Sequence, residues 1–500
     1  MTIREVEKAA AGLKAAIAGE LHGNRTENAL SLISNCANLL YQTNIRYRDE
    51  DLEGYIRQIA SLPGLGPDRE LCAGHMAEER LIFYDGFGLN DRGLAQIYLL
   101  ALCRCREVWY ITDERQKDAI PDILDILGQY GGKAVFLEGR THLKNIRQLC
   151  GIVREIRPKH FFFYGKPDDV TGTAVMYRYG GIMVRYQINL TDHAFWLGAG
   201  AIDKCIEFRN YGACISMDYR GIPREKLALI PYYPVIHQER AFQGYPFACG
   251  EGRKVIFSGG ALYKTNGSGD KYYEVVDSIL RNHEDVIFWY AGTGESDKMK
   301  EILEKYPDRA YLTAERRDLF QVMKHCYFYL STYPVAGGLM TQYAAKAGKV
   351  PLTLRFDHRD GSLINMEELG ILFDTVEDVC REAHRLLEEE AYASQKGKRM
   401  ISSVITEECF DNAVRDLLDG KTSKFTIRYR PIDTEAFRNL YLENIDRRCL
   451  HEMLARKDST VLLRYEPARF FPGGVLKLRK KLFRKARQVL QAMDGGRHMK

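Results

Sequence analysis

The chain has 500 residues, of which 45% are hydrophobic, and a net charge of +5 at neutral pH. These values exclude a disordered protein and predict two or three domains, because single hydrophobic cores stop growing near ~250 to 300 residues. The first residues lack the apolar core of a secretory signal, and no run approaches the ~18 apolar residues that cross a bilayer, so we expect a cytoplasmic protein.

The chain begins with a helical pattern and continues with two α/β patterns. Residues 1–70 are rich in Ala, Leu and charged residues at helical spacing, and they end at the breaker LPGLGP. In residues 71–240, short apolar runs such as RLIFYDGF and KHFFFYG alternate with helical patterns. The same alternation restarts at KVIFSGG and continues through residues 241–400. This pattern predicts an α/β protein with two tandem, doubly wound, Rossmann-like domains that face a cleft.

Residues 401–500 are predicted to be helical and to end in a basic tail. The segment 475–493 contains seven basic residues and no acidic one, so the rest of the chain is slightly acidic. Its apolar residues recur at helical spacing, which gives one apolar and one cationic face. Such a helix can lie on an anionic membrane surface at the inner face of the cell membrane, or it can dock on its own protein. No nucleic-acid-binding motif is present, so nucleic acid is not expected as a partner.

Two glycine turns in the second α/β pattern point to an anion. In FSGGALYKT, Gly259 and Gly260 allow backbone N–H groups to approach a ligand, and Lys264 follows the strand, where its ammonium can meet a phosphate. In YPVAGGLMTQ, Gly337 and Gly338 open a helix whose first N–H groups and dipole favour negative charge. Two such sites in one cleft predict a bound diphosphate.

The motifs FSGGALYKT, DVIFWYAGTG, ERRDLFQVM and STYPVAGGLMTQYAAKAGK together resemble the donor half of GT-B fold glycosyltransferases. The chain is similar in particular to O-linked N-acetylglucosamine transferases and to bacterial surface-polysaccharide glycosyltransferases. The resemblance implies that Lys264 contacts the nucleotide diphosphate, that residues 337–341 form a second cradle for it, and that the uracil lies near Arg316 and Gln321. The donor residues implied are Gly259, Gly260, Lys264, Arg316, Gln321, Gly337, Gly338, Leu339, Met340, Thr341 and Gln342.

The chain departs from the resemblance at one position. Many members of the family place a carboxylate that binds the ribose hydroxyls where this chain has Tyr343. The neighbouring Gln342 offers a substitute hydrogen-bonding group. The departure also leaves open a non-catalytic protein that binds glycan or assists an active transferase.

The first α/β pattern contains the candidate catalytic residues. In NLTDHAFWLGAG, Asp192 and His193 follow a predicted strand, and a similar motif occurs in relatives of these transferases. A histidine beside a carboxylate can accept a hydroxyl proton or orient a substrate. The alternative is that Asp192 caps a helix and that His193 and Trp196 belong to the core. Asp85 and Gly86, together with Trp196, are predicted on the acceptor side, although a tight turn alone also explains the first two.

The sequence therefore predicts a glycosyltransferase that moves a sugar from a nucleotide-sugar, most readily a UDP-sugar, to a hydroxyl. The acceptor is expected to be a lipid-linked glycan in cell-surface polysaccharide synthesis or, in the competing interpretation, a protein. No cofactor is expected, and the UDP-sugar is a substrate. No metal is expected either, because the cysteines and histidines lack metal-ligand spacing. An oxidoreductase is disfavoured, because no convincing G-x-G-x-x-G follows the first strand.

Overall fold

A computed structural model describes residues 2–65, 76–88, 93–236, 240–356 and 368–443. Three helices open the chain: α1 (Ile3–His22), α2 (Thr26–Thr43) and α3 (Glu50–Ala60). α1 begins at Thr2, which exchanges hydrogen bonds with Glu5 in a reciprocal cap. The buried faces of all three helices share one hydrophobic core with the following domain. The predicted helical leader is thus packed onto the first α/β domain.

The first α/β domain contains a parallel sheet of seven strands in the order β3-β2-β1-β4-β5-β6-β7. Because the strand order runs outward from β1 in both directions, helices cover both faces of the sheet. β4 has a buried Phe-Phe-Phe run, as expected of a central strand. The elements are β1 (Ala77–Asp85), α4 (Leu94–Cys103), β2 (Glu107–Asp113), α5 (Pro121–Tyr130), β3 (Lys133–Leu137), α6 (His142–Ile156), β4 (Pro158–Tyr164), α7 (Val170–Arg178), β5 (Val184–Ile188), β6 (Lys204–Glu207), α8 (Asn210–Asp218) and β7 (Leu227–Leu229).

The second α/β domain contains a parallel sheet of six strands in the order β10-β9-β8-β11-β12-β13. Every residue of β9 is buried, which matches its uninterrupted apolar sequence. Its elements are β8 (Lys254–Gly259), α9 (Lys271–Asn282), β9 (Val286–Ala291), α10 (Asp297–Lys305), β10 (Ala310–Thr313), α11 (Leu319–His325), β11 (Phe328–Leu330), α12 (Gly338–Lys346), β12 (Pro351–Leu354), β13 (Leu372–Phe373) and α13 (Val376–Glu388). The two sheets confirm the predicted fold class of two doubly wound α/β domains.

After α14 (Glu390–Ser403), the chain returns to the first domain through α15 (Glu407–Leu418). Phe410 of α15 packs edge-on against Tyr98, and Arg104 forms an ion pair with Glu407 at 2.6 Å. The last described helix, α16 (Glu435–Glu443), follows. In the part of the chain that the structure describes, no helix is both long and apolar enough to span a bilayer. The predicted basic tail 475–493 lies outside the described residues.

Candidate active site

The first glycine turn lies at the carboxyl end of β8, where it is pressed against the end of β9. The Gly260 N–H donates to the Ala291 carbonyl at 3.0 Å, and Gly260 has a φ of 127° that favours glycine. A Cβ at Gly259 would lie 2.7 Å from the same carbonyl oxygen. The side chain of Lys264 folds back over this turn, because its Nζ lies 3.7 Å from the position that a Cβ on Gly260 would take. The structure therefore places the lysine beside the glycines.

The second glycine turn lies next to the first. β8 and β11 are hydrogen-bonded neighbours, so the turns that follow them share one edge of the sheet. The N–H of Val335 donates to the carbonyl of Lys264 at 3.2 Å. Gly337 is the N-cap of α12, and no side chain caps the first N–H groups of this helix. The structure thus brings the ammonium-bearing turn and the start of α12 together, as a diphosphate site requires.

The three residues that follow Gly338 have different surroundings. Leu339 packs against the core of the first domain, whereas Met340 packs within the second. Thr341 is buried, and its hydroxyl donates to the Gly337 carbonyl at 3.1 Å. This hydroxyl bond and the two packed side chains fix the first turn of α12, and ligand binding by the backbone N–H groups of Gly338 and Leu339 stays a prediction.

The helix α12 is hydrogen-bonded, through Gln342 and Tyr343, to the segment that connects the two domains. The amide nitrogen of Gln342 donates to the Tyr232 carbonyl at 2.9 Å, and the Tyr343 hydroxyl donates to the Val235 carbonyl at 2.7 Å. These bonds give Tyr343 a structural role at the position where the resemblance leads one to expect a ribose-binding carboxylate. They also engage the donor group of Gln342, so its predicted contact with a ribose stays a prediction.

Arg316 holds a loop of its own domain. Its guanidinium makes two bonds of 2.7 Å to Asp318 and one of 3.1 Å to the Gly244 carbonyl. It also lies over the ring of Trp289 at 5.2 Å. These partners engage the guanidinium within its own domain, and its predicted contact with the nucleobase stays a prediction. Gln321 is half-buried on α11 and remains a candidate for the nucleobase.

On the first domain, Asp85 closes the turn after β1. Its carboxylate accepts from the N–H groups of Phe87 and Gly88, each at 2.8 Å, and from the hydroxyl of Tyr110 at 2.6 Å. Burial raises the pKa of Asp85, and these three donors oppose that rise. Gly86 has no room for a side chain, because a Cβ would lie 1.9 Å from a carboxylate oxygen of Asp169. Both residues shape the turn, and their contact with an acceptor stays a prediction.

The histidine loop, which we define as residues 191–194, follows β5. Asp192 is fully buried and forms a two-point ion pair with Arg209, with distances of 2.6 and 2.8 Å. Nδ1 of His193 lies 3.4 Å from the Asp192 carboxylate. The His193 side chain is 27% exposed, so its ring is accessible while its neighbour is not. Burial opposes ionisation of Asp192, but the attraction of Arg209 outweighs it and holds the pKa of this carboxyl below its usual range.

A second buried arginine fixes the backbone of the histidine loop. Arg220 has no exposed surface, and one of its terminal nitrogens donates to the carbonyls of Thr191, Asp192 and Ala194 at 3.2, 3.0 and 2.6 Å. The carbonyl of His193 accepts from the amide of Asn44 at 2.9 Å. All four carbonyls of the histidine loop therefore have fixed donors. These hydrogen bonds hold the backbone of the loop with groups of the protein itself.

Trp196 lies in the core of the first domain at 2% exposure, and the Arg220 guanidinium lies 5.3 Å from its ring. Its indole thus supports the loop from behind and does not line an open cleft. His193 is therefore partly exposed, whereas Trp196 is buried. The predicted acceptor contact of Trp196 stays a prediction.

α16 connects the histidine loop with the second domain. The ring of Phe437 lies edge-on to His193 at 5.9 Å and to Phe356, which follows β12, at 6.3 Å. A methyl carbon of Leu440 lies 3.1 Å from the position of a Cβ on Gly267, three residues beyond Lys264. His193 and the segment that follows Lys264 thus contact the same helix. Within the described residues, no cluster of three His, Cys, Asp or Glu side chains could hold a metal ion.

The sequence did not point to Arg209, to Arg220 or to the position of α16 beside the histidine loop. Arg209 lies two residues past the end of β6, at the strand edge where ligand-site residues gather, so its position was a usable signal. Arg220 and α16 carry no such signal, because their roles depend on residues distant in the chain.

No protein-family model and no curated protein matches this sequence. Among solved structures, the chain is similar to a mutant of the O-GlcNAc transferase of Thermobaculum terrenum, with a TM-score of 0.51 and 14% identity over 88% of this chain and 82% of that one. The fold is GT-B. The chain also resembles a putative UDP-N-acetylglucosamine 2-epimerase of Listeria monocytogenes, with a TM-score of 0.49 and 11% identity over 70% of this chain and all of that one. A third GT-B structure, Anabaena HepE with UDP and glucose, has a TM-score of 0.49 and 14% identity over 69% of this chain and all of that one.

Proposed function

We propose that this protein is a glycosyltransferase that moves a sugar from a UDP-sugar to a hydroxyl acceptor. The observation that carries the proposal is the junction between Lys264 and the start of α12. An ammonium, a glycine turn and an uncapped helix N-terminus meet there at the carboxyl edge of one sheet, where doubly wound domains bind nucleotides. This combination fits a diphosphate better than a single phosphate.

The reaction breaks the bond between the anomeric carbon and a diphosphate oxygen, and the electron pair leaves with UDP. Lys264 and the N–H groups of Gly338 and Leu339 would stabilise the charge that builds up on the leaving group, a type of effect that often dominates catalysis. The acceptor oxygen forms the new bond to the anomeric carbon. If the configuration inverts, His193 takes the acceptor proton on Nε2; if it is retained, the leaving diphosphate oxygen takes that proton and His193 positions the donor.

The donor can be tested by a thermal-shift screen of the full chain against UDP, GDP, ADP, NAD and UDP-sugars. We expect UDP and UDP-sugars to raise the melting temperature, because a ligand that binds only the native state stabilises it. UDP-N-acetylglucosamine is the first sugar to test, since the T. terrenum protein is an O-GlcNAc transferase. A shift with NAD alone would overturn the proposal in favour of an oxidoreductase.

A non-catalytic GT-B protein is the second candidate, and Tyr343 favours it. Its hydroxyl bonds to the interdomain segment where the resemblance leads one to expect a carboxylate for the ribose. Such a protein would bind UDP or glycan without consuming a donor. Release of UDP from UDP-N-acetylglucosamine by the wild type, lost in His193→Gln, would exclude this candidate.

For the acceptor, we propose a lipid-linked glycan of the cell surface, with a protein hydroxyl as the competing class. The support is the basic amphipathic sequence 475–493, which would hold the enzyme at an anionic membrane. The full chain should cosediment with vesicles that contain phosphatidylglycerol, whereas a chain ending at residue 474 should not. Equal binding by the two chains would contradict the membrane proposal.

A further inference from the structure

The candidate base, His193, is joined to Arg209 through the carboxylate of Asp192. Asp192 makes two short bonds to Arg209, at 2.6 and 2.8 Å, but only a long one, 3.4 Å, to Nδ1 of His193. Bidentate arginine-carboxylate pairs hold both partners in a fixed orientation. The carboxylate of Asp192 therefore interacts more strongly with Arg209 than with His193. The Arg209 charge offsets part of the attraction between this carboxylate and the His193 ring.

The geometry determines which nitrogen of His193 is basic. Asp192 is held ionised, so its carboxylate can only accept hydrogen bonds. Nδ1 must then carry the proton that points to Asp192, and Nε2 carries the lone pair. Since the carbonyls of the loop are fixed by Arg220 and Asn44, this orientation is set before any substrate binds.

Charged and titratable groups that the structure describes near His193 come from three elements. Asp192 belongs to its own loop, Arg209 and Tyr211 to the start of α8, Arg220 to the end of that helix, and Tyr441 to α16. Of these, one is acidic at neutral pH and two are cationic. Of the two cations, Arg209 is the one paired directly with the carboxylate of Asp192, at 2.6 and 2.8 Å.

We propose that Arg209 is a positioning residue that keeps His193 neutral and directs its Nε2 into the cleft, so that His193 can act as the base of the transfer. The inference rests on the proposed function. Arg209 is well placed for this role, because its guanidinium lies 5.1 Å from the ring of Phe208 and 5.0 Å from that of Tyr211. Its side chain is only 16% exposed, so solvent screens the ion pair weakly.

The test replaces Arg209 and measures the ionisation of His193 directly. An NMR titration of the imidazole C2 protons gives its pKa, and the His193→Gln variant identifies its signal among the twelve histidines. Without Arg209, the charge of Asp192 acts on His193 alone, so the pKa of His193 should rise by about one unit or more in Arg209→Met. It should rise less in Arg209→Lys, which keeps a charge but loses the two-point geometry. The acid limb of UDP-sugar turnover should move up in parallel.

Arg185→Met is the matched control. Arg185 also forms a two-point pair, with Asp203, in which both bonds are 2.7 Å long; Arg185 is 11% exposed, and it lies on β5 outside the histidine loop. This variant should be destabilised without a change in the pKa of His193.

If Arg209→Met does not fold, Arg209→Lys decides the question. A His193 pKa that stays at the wild-type value in a folded Arg209 variant would overturn the inference. Absence of donor turnover in the wild type would overturn the proposed function instead, and the titration would still test Arg209.

Discussion

The carbonyl of Lys264 accepts a hydrogen bond from the N–H of Val335, and this bond joins the two glycine turns of the second domain. We therefore predict that the ammonium of Lys264 and the start of α12 act on one ligand. Lys264→Ala should weaken UDP binding about 10- to 100-fold, because a hydrogen bond to a charged group is worth ~1.5 to 3 kcal/mol. Isothermal titration calorimetry measures this loss. Lys300→Ala, which removes an exposed lysine of the same domain, should bind UDP as the wild type does.

Tyr343 is predicted to stabilise the fold without binding the nucleotide. Tyr343→Phe removes the bond to the Val235 carbonyl and should lower the free energy of unfolding by ~1 kcal/mol. The dissociation constant for UDP should stay near the wild-type value. Denaturant titration and calorimetry check the two parts. A tenfold loss of UDP affinity in a fully folded variant would show that the hydroxyl binds the ribose after all.

Gly212 is predicted to be indispensable beside the histidine loop. A Cβ there would lie 2.4 Å from a carboxylate oxygen of Glu207 and 2.8 Å from Cβ of Asp192. Gly212→Ala should therefore cost ~1 to 3 kcal/mol of stability through overpacking. Gly151 is also helical but has open space around it, so Gly151→Ala should raise stability by ~0.4 to 1 kcal/mol. Thermal and urea unfolding of the pair would contradict the account if both changes were equally neutral.

Phe437 is predicted to hold α16 between the two domains. The side chain is fully buried between His193 and Phe356, so Phe437→Ala should cost ~3 to 5 kcal/mol. Limited proteolysis should then cut near α16 at a protease concentration that spares the wild type. Tyr429→Ala serves as the control, because this ring is 53% exposed and its loss should change stability by less than ~0.5 kcal/mol.

Acid should weaken the histidine loop. Because the pKa of Asp192 is lower in the folded protein than in the unfolded one, its ion pair contributes stability above pH ~4 and loses it as the pH falls further. Asp192→Asn lacks this contribution at every pH. The difference in unfolding free energy between wild type and variant should be largest near neutral pH and shrink toward pH 2. A difference that stays constant over this range would contradict the assigned ionisation.

The two sheets and the two glycine turns could be predicted from the sequence, because both depend on local patterns. Gly259 and Gly260 follow an apolar run directly, and the turn they form depends on their own backbone. The resemblance correctly implied the GT-B fold, although identity to the three structures described above is only 11 to 14%.

The partners of individual side chains could not be predicted in the same way. The sequence does not predict that the guanidinium of Arg316 bonds to Asp318 and to the distant Gly244 carbonyl, and its contact with the nucleobase stays a prediction. The role of Arg220 depends on a loop 26 to 29 residues away, and that of Phe437 on a ring more than 200 residues away. Such pairings follow from the folded topology, which a linear pattern does not encode.

The central claim is that Lys264 and His193 serve one glycosyl transfer, and UDP release from UDP-sugars tests it most directly. The full chain should release UDP slowly from UDP-N-acetylglucosamine or a related donor without an acceptor. His193→Gln should abolish release while calorimetry shows that UDP still binds, and Lys264→Ala should reduce both. Release by His193→Gln at the wild-type rate, or no release by the wild type from any UDP-sugar that it binds, would contradict the account.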